Sequence, residues 1–274
     1  MGVSADRSTY PLTVGPVQQW AEVYRYRQAV RNLVARDLKV RYSNSVLGIV
    51  WTLAGPLLMT LVYSLVFTFF RPGGVTHYPV FILAGLLPWT FFTSSVAGAT
   101  ASISGNGHLI NRVYFPREVL PVANLLSNAV NFGVALLLLF GFILFYRIPL
   151  GLNLLWLPVI VGVQVALMLG LGLLLAAINV YLRDTQQLVD VGLLALFFLT
   201  PIIYTLDSFG PGLQTILQVL NPMASLVAAY RQVLYAAATP NLLLLGVTAL
   251  QAVLLLAVGG LVFRRLSPSF AEEV

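Results

Sequence analysis

The stretch from Val46 to Phe69, VLGIVWTLAGPLLMTLVYSLVFTF, carries no charged residue. It is long enough to cover a hydrocarbon core of about 30 Å, which takes about 20 apolar residues in a helix. Only helices and closed barrels satisfy a backbone in lipid, and a barrel strand would alternate polar and apolar residues. No such alternation is present, so the stretch predicts a membrane-spanning helix. Five more dense apolar stretches follow: Pro79 to Thr100, Val119 to Tyr146, Leu154 to Tyr181, Leu188 to Tyr204 and Leu242 to Phe263.

Composition points the same way. Charged residues make up 9% of the 274 and apolar residues 59%, against roughly 25% charged in an ordinary soluble domain. A water-soluble fold of this size has no means of hiding so much apolar surface. Cysteine is absent, which excludes disulfides and thiolate metal sites. The polar first 45 residues show no apolar core with a small-residue cleavage site, so no removable signal peptide is expected. The net charge of +6 flanks the apolar stretches, where it governs orientation rather than nucleic-acid binding.

Six crossings with the N-terminus inside place every Lys and Arg but Arg71, Arg147 and Arg231 on the cytoplasmic side. That is the asymmetry the positive-inside rule demands. The stretch 208–239 is apolar but broken by Pro211, Asn221, Pro222, Arg231 and Gln232. A seventh crossing there would put Arg264 and Arg265 outside. Two short helices dipping into the outer leaflet, Leu213 to Leu220 and Ala224 to Tyr235, fit better, since re-entrant segments are tolerated against protein or a cavity. An ordinary outer loop with amphipathic turns is the alternative. Residues 17–42 differ again: Val23, Tyr26, Val30, Leu33, Val34 and Leu38 recur at helical spacing, with Arg25, Gln28, Asn32, Arg36 and Lys39 elsewhere on the wheel. They predict an amphipathic helix on the cytoplasmic membrane surface, anchoring orientation. The expected fold is one all-α integral membrane domain over 1–274.

The inventory for chemistry is thin. His77 and His108 fall on opposite sides in this topology, and the nine acids are scattered. No zinc spacing, nucleophile elbow or phosphate loop with Lys and Ser/Thr occurs. Asp190 and Asp207 sit near helix ends, not mid-span, which argues against proton-coupled transport. A stand-alone channel or secondary carrier would show buried charges or an inverted repeat, and neither is visible. Positive signal lies in the loop between the second and third spans, within 105–121: Asn111-Arg112-Val113-Tyr114-Phe115-Pro116-Arg117-Glu118. Its aromatics either anchor a helix in a groove on a soluble partner, with Arg112, Arg117 and Glu118 as a charged rim, or simply sit at the membrane interface.

Six ordered motifs carry a family resemblance. Leu33-Val34-Ala35-Arg36-Asp37-Leu38-Lys39-Val40-Arg41-Tyr42-Ser43-Asn44-Ser45-Val46-Leu47-Gly48 resembles the approach to the first span in permease subunits of ABC-2 type polysaccharide exporters, which export O-antigen, capsule or teichoic acid chains. Ala84-Gly85-Leu86-Leu87-Pro88-Trp89-Thr90-Phe91-Phe92 resembles their second span, and Val113-Tyr114-Phe115-Pro116-Arg117-Glu118 their coupling segment. Arg183-Asp184, Thr200-Pro201-Ile202-Ile203-Tyr204 and Asn221-Pro222 complete the match over Leu33 to Tyr235. The family loop often has Lys where Arg112 stands, which keeps the charge.

The resemblance implies a permease, not an enzyme, in the bacterial inner membrane with both termini cytoplasmic. It implies a homodimer driven by two separate ATPase subunits that hold ATP and Mg, with no cofactor or metal on this chain. Asn111, Arg112, Tyr114, Phe115, Pro116, Arg117 and Glu118 would form the ATPase contact. Tyr42, Trp51, Tyr63, Trp89, Phe92 and Tyr204 are candidates to line a sugar-conducting channel, the competing role being helix packing or lipid contact. Arg36, Lys39, Arg41 and Arg183 would meet the phosphate of a lipid-linked polymer, or only hold orientation. Pro211, Asn221, Pro222, Tyr230 and Arg231 would build an outer gate.

Overall fold

The computed structural model describes residues 22–43, 48, 50–70, 75–110, 115–205 and 210–273. Asn111, Arg112 and Tyr114 of the predicted coupling segment therefore lie outside the described residues, as do Val17 to Ala21 of the predicted amphipathic helix. Among the described residues the chain is helical with no strand: α1 Arg27–Tyr42, α2 Val50–Phe70, α3 Tyr78–Ala101, α4 Val119–Phe145, α5 Leu157–Tyr181, α6 Thr185–Leu199, α7 Pro211–Leu220, α8 Pro222–Leu234 and α9 Leu242–Leu266. Helices α3, α4, α5 and α9 are each long and apolar enough to cross a membrane.

The hub is α3, hydrophobic on every side and buried almost throughout, as such a helix must be. It packs against α4, α5, α8, α2 and α6. The outside of the bundle is apolar too. Leu58, Leu61 and Leu65 on α2, Leu188, Leu194 and Phe198 on α6, and Leu250, Val253 and Leu261 on α9 are all exposed, a surface suited to lipid and not to water.

Without a hydrophobic force between helices in lipid, close packing depends on small residues. The tightest pair is α5 with α9. A Cβ added at Gly170 would strike the backbone of Leu255 and Leu256, and one at Gly259 the carbonyl of Gly170. Gly170→Leu is expected to force the helices apart and cost about 1–3 kcal/mol or more. A lower melting temperature of the purified permease checks this, with Gly133→Leu, where nothing lies within 4 Å of the added Cβ, expected to melt as wild type.

Helix α1 and the residues just before it carry the predicted stripe: Val23 and Val30 are buried, Tyr26, Leu33, Val34 and Leu38 half-buried, and Arg25, Gln28, Asn32, Arg36 and Lys39 exposed. Its apolar face lies on α4, where Val30 joins a cluster with Val119 and Leu120. The stripe covers protein rather than lipid alone, because any dry surface satisfies it.

The predicted fifth crossing runs as helix only to Leu199, not to Tyr204. Pro201 disfavours the α region for the residue before it, and Thr200 is extended. At fifteen residues, α6 is about 22 Å long, short of a hydrocarbon core. The two short helices before the last span are present. Asn221 caps α8, its Oδ1 accepting from the backbone N–H of Met223 and Ala224 at 3.1 and 3.3 Å, with Pro222 as the first helical residue.

Candidate functional site

The docking of α1 on α4 decides what meets what. Asn124, Asn128 and Asn131 stand at i, i+4 and i+7 on α4, which places them on one helix face. The end of α1 brings Arg41 and Tyr42 to that face. Arg41 Nη1 donates to Asn128 Oδ1 at 3.3 Å, Asn128 Nδ2 to Asn124 Oδ1 at 3.2 Å, and the Tyr42 hydroxyl to Asn131 Oδ1. The same hydroxyl lies 2.6 Å from Thr52 Oγ1 on α2. Around these groups is a cleft of about 350 Å³ whose lining includes Arg41, Tyr42, Trp51, Thr90, Asn128 and Asn131.

A second cavity, of about 170 Å³, is lined by Arg36, Asp37, Asn106 and Asn124 among others. Arg36 Nη2 pairs with Asp37 Oδ1 at 3.2 Å and donates to Asn106 Oδ1 at 3.2 Å. Asn124 lines this smaller cavity while Asn128 and Asn131 line the larger cleft, so the asparagine face passes from one space to the next. The sequence reading missed these asparagines. The available signal was three amides at helical spacing inside a span, where lipid makes a polar side chain costly.

The predicted residues divide. Tyr42, Trp51 and Arg41 share the large cleft and Arg36 lines the small one, while Lys39 and Arg183 are exposed and line neither. Trp51 is 57% exposed. Trp89 and Phe92 are buried, packed 5.6 Å apart, with Trp89 5.9 Å from Phe197 on α6. They serve the core and offer no face to a channel in this arrangement. Tyr63 is half-buried on α2, and Tyr204 donates to the carbonyl of Phe198 at 3.0 Å.

At the end of the bundle away from α1, Arg231 on α8 is tightly held. It is 9% exposed. Its guanidinium donates to the carbonyls of Pro201 and Ile202, to Phe81 at 3.3 Å and to Tyr204 at 3.5 Å. It also lies 3.6 Å over the Phe81 ring. Three of these carbonyls, on Pro201, Ile202 and Tyr204, belong to the non-helical stretch that follows α6. Asn221 ties the same break, its Nδ2 donating to Thr200 Oγ1 at 2.9 Å. Tyr230 is fully buried and donates to Gln164 Oε1 at 2.7 Å, and Gln164 Nε2 donates to the carbonyl of Pro88 at 2.8 Å. Pro211 opens α7.

At the α1 end, Phe115 and Glu118 are buried. Phe115 packs in the chain's own cluster with Val30, Val119, Phe263 and Phe270. Pro116 and Arg117 accept the first backbone hydrogen bonds of α4, from Val119 at 3.1 Å and Leu120 at 3.2 Å. Phe115 to Glu118 thus lead directly into the helix that carries the asparagines. Phe270, which sequence reasoning passed over, is fully buried against Phe263 and Tyr181, with the Arg117 guanidinium 5.8 Å over its ring.

Comparison with known proteins places this arrangement. The chain is 36% identical over 254 residues to an O-antigen export system permease protein of Myxococcus xanthus, covering 92% of this chain and 98% of that one. It is 31% identical to one of Klebsiella pneumoniae over 86% of this chain and 91% of the relative. A polysialic acid transport protein of Escherichia coli is 25% identical over 74% and 80%. The family model for ABC-2 type transporters matches residues 28–235, from the start of α1 to the end of the α8 region that holds Arg231. This chain belongs to the ABC-2 type transporter family, as a membrane permease subunit.

Proposed function

We propose that this chain is the channel-forming subunit of an ATP-driven exporter that moves a lipid-linked, O-antigen-like polysaccharide out of the cytoplasm across the bacterial inner membrane. The observation that carries the reading is kinship over nearly the whole chain to permeases named for O-antigen export. The weaker kinship to a polysialic acid transporter makes capsule polymer the second reading; teichoic acid export is a more distant one.

In this reading α2, α3, α4, α5, α6 and α9 make six crossings with both termini cytoplasmic, as the arginine asymmetry requires. The short α6 completes its crossing through the non-helical residues after Leu199, whose carbonyls Arg231 satisfies. Helices α7 and α8 dip into the outer leaflet and close the outer mouth. Two copies form the conduit: α2 and α6 leave long apolar faces uncovered by their own chain, and Trp51 is open to a neighbour. Two ATPase subunits, holding ATP and Mg, press on the segment ending at Glu118. Because Phe115 to Glu118 run directly into α4, their closure moves the helix that carries the cleft. Arg36 and Arg41 meet the lipid phosphate at the cytoplasmic mouth, and Tyr42, Trp51, Tyr63 and Tyr204 offer ring faces to passing sugars.

The test is co-purification with the partner ATPase followed by ATP hydrolysis in nanodiscs. Lipid-linked polymer is expected to stimulate hydrolysis several-fold, and deletion of the permease to leave polymer in the cytoplasm. No retained ATPase, together with normal surface polymer in the deletion strain, would overturn the reading.

A further inference from the structure

We infer that the cleft between α1, α2, α3 and α4 is a built saccharide site that reads the lipid-proximal sugar of the substrate, with Asn128 and Asn131 on its hydroxyls, Trp51 on its ring face and Arg41 on the adjoining phosphate. This rests on the exporter reading and adds a recognition step to it.

A cleft that sets amides among apolar walls inside an apolar bundle needs a reason, because each amide placed there costs free energy unless it is bonded. Internal bonds account for only part of it. Asn131 accepts from Tyr42, yet its Nδ2 group makes no hydrogen bond among the described residues and borders the cleft. Ser94, an exposed hydroxyl on α3, lines the same space and likewise makes none among the described residues. A primary amide carries two donors and an acceptor, so it pairs with neighbouring hydroxyls that each donate and accept. A bare phosphate would need cations, and the cleft lining contains one, Arg41. An acyl chain could lie on Leu87, Phe91 and Phe132 but would leave the amides of the same lining unpaired. The exposed indole of Trp51 supplies the flat face that the C–H side of a pyranose covers. The volume of about 350 Å³ lies at the small end of ligand sites, which begin at about 300 Å³, and suits a single sugar with its phosphate rather than a folded chain.

The connection to α4 gives the site a consequence. Its asparagines stand on the helix into which the proposed ATPase-facing residues lead, so occupancy and ATPase closure act on one rigid rod. Two net hydrogen bonds correspond to about tenfold in affinity.

The experiment uses the permease–ATPase complex in nanodiscs and three probes: a long-chain prenyl diphosphate bearing one hexose, the same lipid diphosphate without sugar, and inorganic diphosphate. The sugar-bearing lipid is expected to bind about tenfold more tightly than the bare lipid, and inorganic diphosphate more weakly than either. Asn131→Leu should erase the sugar preference and leave binding of the bare lipid unchanged; Asn131→Gln should retain much of it. Arg41→Gln should weaken both lipids alike. Equal binding of the two lipids to the wild type, or an intact preference in Asn131→Leu with an unchanged melting temperature, overturns the site while polymer-stimulated ATP hydrolysis leaves the exporter reading standing. Failure of intact polymer to stimulate hydrolysis overturns the exporter reading and the site with it.

Discussion

Replacing Arg231 by methionine is expected to abolish export and to raise ion leakage through reconstituted permease. Methionine keeps much of the side-chain length and none of the donors. Arg231 holds the carbonyls of Phe81, Pro201 and Ile202 inside the protein, and each buried acceptor left alone costs about 1–3 kcal/mol. In lipid no water is at hand to relieve them. The break after Leu199 would have to refold or drift, and α8, pinned to it through Arg231 and Asn221, would lose its seat. Arg231→Lys should fall between wild type and Arg231→Met, since a single ammonium cannot fork to several carbonyls and stack on Phe81 as a planar guanidinium does. Gly85→Ala should mimic it in part, because the new Cβ would stand 2.9 Å from Arg231 Nη2. Membrane insertion, melting temperature and proton leak in vesicles are the measurements. Wild-type export with wild-type leak in Arg231→Met would show that the clamp holds nothing shut.

The contrast between Arg231 and Trp89 separates what amino-acid order discloses from what only packing decides. Arg231 stands out in the sequence as a cation far from the cytoplasmic charges, and Pro211 and Pro222 ahead of it announce short helices, because charge and proline act through local rules. Trp89 and Phe92 resist assignment because α3 is apolar on all sides: no polar face tells which side meets a neighbour, and packing alone turns Trp89 toward Phe197. The fifth crossing reads too long for a related reason. Thr200-Pro201-Ile202-Ile203-Tyr204 is apolar enough to continue a span, and the distant Arg231 makes its unwinding tolerable. The asparagines of α4 are legible in principle, since i, i+4, i+7 spacing marks a face. What the spacing does not carry is that α1 lies across that face and brings Arg41 and Tyr42 to it, a tertiary contact between segments nearly ninety positions apart.

Phe270→Ala is expected to uncouple ATP hydrolysis from export without releasing the ATPase. The ring is fully buried at the end assigned to the cytoplasm, 5.3 Å from Phe263 on the last span and 6.3 Å from Tyr181 at the end of α5, with Arg117 of the proposed coupling segment above it. It therefore wedges Arg117, in the proposed coupling segment, against two spans. Removing a buried phenylalanine costs about 3–5 kcal/mol where the surroundings do not collapse. A segment with that much slack yields when the ATPase presses on it, and the push no longer reaches α4. Phe115→Ala, in the same cluster, should act in the same direction. The double mutant should add less than the sum of the two, as residues sharing one cavity do. The readout is the ratio of polymer exported to ATP hydrolysed in vesicles, expected to fall by more than about tenfold, since 1.4 kcal/mol already corresponds to that factor. Loss of the ATPase on purification would instead make the cluster part of the docking surface, and an unchanged ratio with the complex intact would remove Phe270 from the transmission path.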